Sequence, residues 1–309
     1  VTQQSSFTGA HNSDKSRRVQ RIGQIGHASK PGVNVVVAGA SGLIGTGLLA
    51  ALRARGDQVI ALPRYGTAPW QVDGFDAVVN LAGANLSAKR WSKEFKKEIL
   101  DSRVLSTRAL VEAIHATARK ARVLVNASAV GYYGPRGDEQ LDETAAPGKD
   151  FLSGVVQAWE AEAQKAEVRS VQVRTGIVLS KKGGALQPML PPFKAFVGGP
   201  IGSGKQWFPW IHIDDEVAAI LWCLDHDVSG PVNLVAPGIV TMKEFAQALG
   251  RALHRPAAFA VPGAALRLLL GEFAEVILDG QRAAPKKLFD KGFRFRFTDV
   301  DAALRDIFS

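Results

Sequence analysis

Three glycines spaced three apart, Gly39, Gly42 and Gly45, stand between the apolar run VNVVVA (33–38) and the helix-forming stretch LIGTGLLAALRA (43–54). That arrangement restricts the chain severely. A strand must leave through a tight turn at Gly39, and a helix must begin at once and pack close to the strand at Gly45. The backbone amides of Ser41, Gly42, Leu43 and Ile44 then crowd the positive end of a helix, a natural seat for a pyrophosphate. A glycine pattern alone is weak evidence. Its place after the first strand of a repeating series makes it a dinucleotide-binding signature.

The series follows. QVIALPR (58–64), DAVVNLAG (76–83), RVLVNASAV (122–130) and SVQVRTGIVLS (170–180) read as further strands. Periodic segments at 92–118 and 151–166 read as helices between them. Nearly continuous apolar strands alternating with helices require a parallel sheet covered on both faces, which predicts an α/β, doubly wound fold. After residue 180 the rhythm breaks into a Gly- and Pro-rich stretch. A helix then starts in IHIDDEVAAILWCLD, GPVNLVAP (230–237) supplies a further strand, and Thr241 caps a helix that Pro256 stops. FRFRF (293–297) alternates like a short strand. The predicted domains are a flexible basic leader at 1–32, a nucleotide-binding domain at 33–180, and a mixed segment at 181–309. That last segment returns to the sheet at about 205–237 and forms a small, mostly helical, substrate-side C-terminal lobe.

Charge narrows the partners. The net charge is +9, and the leader contributes five cations against one acid. The remaining positive charge is spread out. It suits a small, anionic ligand, and no nucleic-acid reading module accompanies it. No apolar run is long enough to span a membrane. The single cysteine, Cys223, fits a reducing compartment, so a cytoplasmic location is expected, with an organelle as the alternative if the leader is a transit remnant. The second strand ends in Leu62-Pro63-Arg64 with no acid after it. A cation there suits the 2′-phosphate of NADP(H) better than the free ribose of NAD.

Several longer segments carry a family resemblance. NLAG (80–83), RWSKEFKKEILDSR (90–103), SAVGYYG (128–134), RTGIVLS (174–180), GGPIGSGKQWFPWIHIDD (198–215) and GPVNLVAP together resemble the atypical short-chain dehydrogenase/reductase group, in its sugar-nucleotide-epimerase-like family. The likeness runs from about residue 33 to the end. It implies a Rossmann domain, bound NADP(H) and a small C-terminal lobe. It also implies cofactor contacts at Pro63, Arg64, Leu81, Ala82 with the adjoining Gly83, Glu98, Arg103 and Val178. The competing reading of Arg103 is a surface ion pair with Glu98 or Asp101. One departure is the short segment 65–75 between the second and third strands, which leaves the adenosine-side wall open.

The wider superfamily uses a tyrosine whose acidity is raised by a lysine four residues on. Here the 151–166 helix carries Leu152 and Val156 instead. The three tyrosines, Tyr65, Tyr132 and Tyr133, are followed four residues later by Pro69, Arg136 and Gly137. Ser128 occupies the serine position. A proton donor must then come from Tyr132, Tyr133 or His212, each with a packing role as its alternative; for His212 this is a bond to Asp214 or Asp215. Lys205 and Gln206 are candidates for an anionic substrate, and Trp207, Phe208 and Trp210 for closing the cleft between lobes. No metal cluster is expected. Two functions follow: an NADP(H)-dependent oxidoreductase or epimerase on a sugar-like or carbonyl substrate, or a non-catalytic NADP-sensing scaffold acting through a protein partner. A homodimer is compatible with either.

Overall fold

The computed structural model describes residues 32–66 and 69–309; the predicted leader, apart from Gly32, lies outside them. In chain order the elements are β1 (Asn34–Ala38), α1 (Leu43–Arg55), β2 (Gln58–Ala61), β3 (Ala77–Asn80), α2 (Lys93–His115), β4 (Val123–Ala129), β5 (Gln140–Leu141), α3 (Phe151–Ala163), β6 (Arg169–Thr175), β7 (Ile177–Ser180) and β8 (Gly183–Gly184). There follow α4 (Leu186–Lys194), β9 (Trp207–Phe208), β10 (Trp210–His212), α5 (Ile213–Asp225), β11 (Gly230–Leu234), β12 (Val240–Thr241), α6 (Met242–Leu253), α7 (Gly263–Leu270), α8 (Phe273–Leu278), β13 (Arg282–Ala283), α9 (Lys286–Asp290) and α10 (Val300–Phe308).

Six strands form one parallel sheet in the order β11-β6-β4-β3-β1-β2. Both faces are buried, which explains the unbroken valines. Val35 and Val37 pack with Leu48 and Leu52 of α1 and Val217 and Ile220 of α5. Val36 faces the other way, onto Leu110, Val111 and Ile114 of α2. The chain therefore needs two covering layers, and the right-handed crossovers supply them. Between β1 and β3 the winding reverses direction, and this switch point is where an open α/β sheet binds ligands.

Two strand expectations need correction. The run 170–180 is two strands, broken at Gly176. A Cβ on Gly176 would lie 2.2 Å from the Pro209 carbonyl oxygen, so only glycine lets the chain cross there. Beyond the break, β7 leaves the main sheet and pairs with β10 and β8. FRFRF alternates in burial, with Phe293 and Phe297 inside, but joins no ladder. The backbone amides of Arg296 and Phe297 donate instead to the two carboxylate oxygens of Asp215, at 2.8 and 2.9 Å. Burial pushes the Asp215 carboxyl up to about 6 against the pull of these donors.

Phe208 and Trp210 take another role. Trp210 is fully buried and donates through Nε1 to the Gly238 carbonyl at 2.8 Å. Phe208 stacks on Phe245 of α6, with centroids 4.0 Å apart. Both belong to a second apolar core with Phe193, Leu249, Leu304 and Ile307. They hold the later segments together.

Glu216, in the first turn of α5, is fully buried. One carboxyl oxygen accepts from Thr175 Oγ1 at 2.7 Å, and the other has no hydrogen-bond partner. Burial pushes this carboxyl up to about 8, against the pull of Thr175. The native state thus holds a proton that the unfolded chain releases near its ordinary value of 4.5. Stability should therefore fall as pH rises from about 4.5 to about 8, by up to about 1.4 kcal/mol per pH unit, and then level off. Chemical denaturation from pH 6.5, where Asp215 is largely ionised, to pH 9 is expected to show this decline, and Glu216→Gln is expected to flatten it over that range and to exceed the parent protein in stability at pH 9.

Candidate functional site

Gly39 has φ +73°, and a Cβ there would sit 2.5 Å from the Leu81 carbonyl carbon. The turn after β1 thus presses against the exit of β3 at the switch point. A Cβ on Gly45 would lie 2.4 Å from the Gly39 carbonyl oxygen, so the helix start is equally close. Gly42 caps α1 in extended geometry, with its amide donating to Gly39 O at 3.1 Å. No side chain caps this helix, and its first turn carries no acid. The amide end that includes Leu43 and Ile44, with exposed Ser41 beside it, is therefore an uncompensated positive pole. Leu43 reaches the β7–β8 hairpin, 3.5 Å from where a Cβ on Gly183 would be, and Gly184 packs near the carbonyl of Val178. The glycine turn, Leu81 and the Val178 strand are in this way brought together.

Arg103 sits on α2 opposite this turn. Its guanidinium donates to the carbonyls of Ile99 and Ala84, both at 3.1 Å, and lies 5.1 Å from the Trp159 ring centroid. The carbon at its centre would be 3.2 Å from a Cβ on Gly83. The competing ion pairs with Glu98 and Asp101 are not made. Glu98 is exposed and bonds Lys89 at 2.9 Å, and Asp101 pairs with Lys97. Desolvation lowers the Arg103 pKa to about 10, so it remains a cation at neutral pH, held among carbonyls and an aromatic face with no carboxylate.

Pro63 and Arg64 are exposed at the end of β2. Beside them Trp70 is buried, donates to the Pro63 carbonyl at 3.0 Å, and meets Tyr65 edge-on at 5.6 Å. The residues around Ala82 rest on a polar ladder that sequence reasoning missed. Asn80 accepts from the Ala82 amide through Oδ1 and donates through Nδ2 to Asn126 at 2.7 Å and Thr107 at 2.9 Å. The available signal was the asparagine in each of two apolar strands, NLAG and VNAS, which parallel pairing sets side by side.

Of the four catalytic candidates, Ser128, Tyr133 and His212 take part in internal hydrogen bonds. Ser128 is buried, and its hydroxyl donates to Glu160 Oε1 at 2.5 Å. Glu160 of α3 is held by Arg174 of β6 in a forked pair, Nε to Oε1 and Nη2 to Oε2, both 2.8 Å. Arg174 Nη1 donates to the Tyr133 hydroxyl at 3.0 Å, and that hydroxyl donates to Asn233 Oδ1 at 2.7 Å. Tyr133 is fully buried, and burial raises its phenol to about 12 despite the neighbouring Arg174. It is a structural member of this network. Tyr132 is half-buried with its ring against Arg174, the guanidinium carbon 3.5 Å from the centroid.

His212 is fully buried too. Its Nδ1 accepts from the Asp214 amide at 3.1 Å, capping α5, and its ring packs on Phe297 at 4.0 Å. It stands apart from Ser128 and the tyrosines. His212, Asp214 and Asp306 offer ligand atoms within 4.8 Å of one another, but Arg296 bonds both carboxylates at 3.1 Å and supplies the positive charge there. Gln206 is also spoken for: its Nε2 donates to the carbonyls of Ile201 and Ile277. Lys205 is exposed.

The RW pair at 90–91 has a visible task. Arg90 donates to the Leu268 carbonyl at 3.1 Å, Lys96 pairs with Glu272, and Trp91 packs between Phe151 and Phe273. Leu278 in turn reaches Gly202. The α7–α8 hairpin thus bridges the start of α2 and the glycine-rich 200–206 loop.

The NAD dependent epimerase/dehydratase family matches residues 35–235, and a Domain of unknown function (DUF1731) matches residues 261–307. The chain is 42% identical over 301 residues to the Epimerase family protein SDR39U1 homolog, chloroplastic, of Arabidopsis thaliana, covering 89% of this chain and 86% of the relative. The crystal structure of human epimerase family protein SDR39U1 (isoform2) with NADPH superposes with a TM-score of 0.84 at 37% identity, covering 89% of this chain and 99% of that one. The nucleoside-diphosphate sugar epimerase from Corynebacterium glutamicum gives a TM-score of 0.72 at 32% identity, covering 96% of this chain and 62% of that one.

Tyr133→Phe removes one hydroxyl that serves both Arg174 and Asn233. Urea denaturation is expected to show a loss of about 2–3 kcal/mol, because two buried partners are left without it.

Proposed function

On the premise that this chain belongs to the NAD dependent epimerase/dehydratase family, we propose that it is an NADP(H)-dependent oxidoreductase or epimerase acting on a sugar-like or carbonyl substrate. The cofactor fits the residues present. The turn has no room for a side chain at Gly39 or Gly45 and ends in an uncompensated helix pole, which suits the pyrophosphate. Arg64, at a β2 end without an acid, suits the 2′-phosphate. Leu81, Ala82 and Val178 would line the cofactor along the strand ends. When bound, NADP(H) supplies the hydride chemistry. The chain's own part is to hold it, orient the substrate and exclude water.

The observation that carries the reading is Arg103, a desolvated cation with no carboxylate partner among the described residues. Such a group is stabilised by an arriving anion. The relative solved with NADPH supports NADP(H) as that anion, and the sugar epimerase relative supports a sugar-like substrate.

A second reading, an NADP-sensing scaffold acting through a protein partner, draws on the burial of Ser128, Tyr133 and His212 in internal hydrogen bonds. Oxidation of NADPH against a panel of carbonyl compounds and nucleotide sugars separates the two. Turnover supports the enzyme, and tight binding without turnover supports the scaffold.

Fluorescence titration with NADPH is expected to show saturable binding, stronger than with NADH. Arg103→Met keeps the stem over Trp159 and removes the charge. It is expected to weaken NADPH binding by about 10- to 100-fold, the worth of a charge-assisted hydrogen bond. Its melting temperature should change little. Unchanged affinity would remove the main support for the cofactor site.

A further inference from the structure

Helices α4 and α6 end in the same way, with a bulky residue where glycine is usual. Just past α4, Phe196 has φ +62°; its amide donates to the Phe193 carbonyl at 3.0 Å, and the Val197 amide donates to the Pro192 carbonyl at 2.9 Å. Just past α6, His254 has φ +54°; its amide donates to the Arg251 carbonyl at 3.2 Å, and the Arg255 amide donates to the Gly250 carbonyl at 2.8 Å. Glycine closes such ends without strain, and a large side chain does not. Among the described residues other than glycine, only Glu167 shares this left-handed conformation. The two ends meet. The Arg255 guanidinium lies 4.5 Å from the Phe196 ring centroid, and the Phe259 amide donates to the Gly198 carbonyl at 3.1 Å. Beside them opens a groove of about 620 Å³, lined by Gln247, Arg251, His254, Arg255 and Ala258 among others.

Three features define what this groove would take. The first is charge. No acid lines it, and while Arg251 pairs with Asp301, Arg255 has no carboxylate partner among the described residues and its buried Nε has no hydrogen bond there. The second is apolar surface, since Phe196, Val197 and Phe259 are 54, 52 and 57% exposed. The third is an open backbone edge. The amides of Phe259 and Val261 donate to the carbonyls of Gly198 and Pro200. In that extended run the backbone groups of Ala258 and Ala260 face the other way, and they have no backbone partner among the described residues. We propose that this groove docks an extended, acidic segment of a partner protein. The segment adds a strand along residues 257–261, sets its carboxylates on Arg255 and Arg251, and packs apolar side chains on Phe196 and Phe259. A membrane or a nucleic acid would use the charge and the rings but has no use for a strand edge. The inference goes beyond the cofactor reading and does not rest on it.

The test uses the full chain and fluorescence anisotropy with labelled peptides of about seven residues, a strand's length. The peptides alternate Asp or Glu with Phe, Leu, Ile or Val. Members of this set are expected to bind in the micromolar range, and to weaken by about tenfold or more when Lys replaces the acids or when alternate backbone amides are N-methylated. Arg255→Glu should weaken binding by a similar factor. Ala258→Pro removes one outward amide, keeps the bonds to residues 198–200, and should weaken binding too. Phe196→Gly separates function from structure: it should weaken binding without lowering the melting temperature, because glycine suits the left-handed position. A merely structural Phe196 would lower the melting temperature and leave peptide binding unchanged. Binding of none of the acidic peptides, or equal binding of the Lys or N-methylated forms, would overturn the inference. So would finding that Phe196→Gly abolishes self-association, or binding to phosphatidylserine vesicles, in place of peptide binding.

Discussion

The close approach of Gly39 to the Leu81 carbonyl is the constraint on which the candidate site depends. With 2.5 Å between a would-be Cβ and that carbonyl carbon, the first turn can sit at the switch point only because residue 39 has no side chain. The same contact joins two consequences. It lets α1 begin directly beside β3, which fixes the position of the helix pole. It also sets that pole beside the loop on which Gly83 and Ala84 contact Arg103. The glycine turn and Arg103 are thus linked through one loop, residues 81–84, which touches both.

A second interaction governs the neighbouring region. Glu160 and Arg174 are a buried ion pair, and such pairs are costly to desolvate unless their remaining hydrogen-bonding capacity is used. Here Ser128 donates to Glu160, and Arg174 donates to the Tyr133 hydroxyl and to the Glu143 carbonyl. Glu143 accepts from the amides of Asn233 and Lys287, and Asn233 donates to the carbonyl of Ala284. The chain of bonds therefore runs from the fourth strand to the segment that carries β13 and α9. The α7–α8 hairpin fastens the same C-terminal region to α2 through Arg90, Trp91 and Lys96. Residues 261–307 are tied to the nucleotide-binding fold from both sides.

Local patterns made much of this readable. Val35, Val36 and Val37 announced a strand buried on both faces, and Gly39, Gly42 and Gly45 a turn without room. Thr241 was legible as a cap because it acts within its own helix. What was hidden depends on partners distant in the chain. Gly176 breaks a strand because of the Pro209 carbonyl, 33 positions later in the numbering. FRFRF fails to become a strand because Asp215 takes two of its amides. The tyrosines, Ser128 and His212 carried the right chemistry for proton donors, but only the fold reveals that Tyr133 serves Arg174, that Ser128 serves Glu160, and that His212 caps a helix. Residue type indicates what a group can do, and burial with its bonded partner indicates what it is free to do.

The most direct test of the account is a crystal structure of this protein grown with NADPH. The account predicts the pyrophosphate on the backbone amides of residues 42–44, Arg103 turned from the Ala84 or Ile99 carbonyl to a phosphate oxygen, and the Glu160–Arg174 pair unmoved. NADPH seated elsewhere, or seated at the glycine turn with Arg103 still bonded only to those two carbonyls, would contradict it.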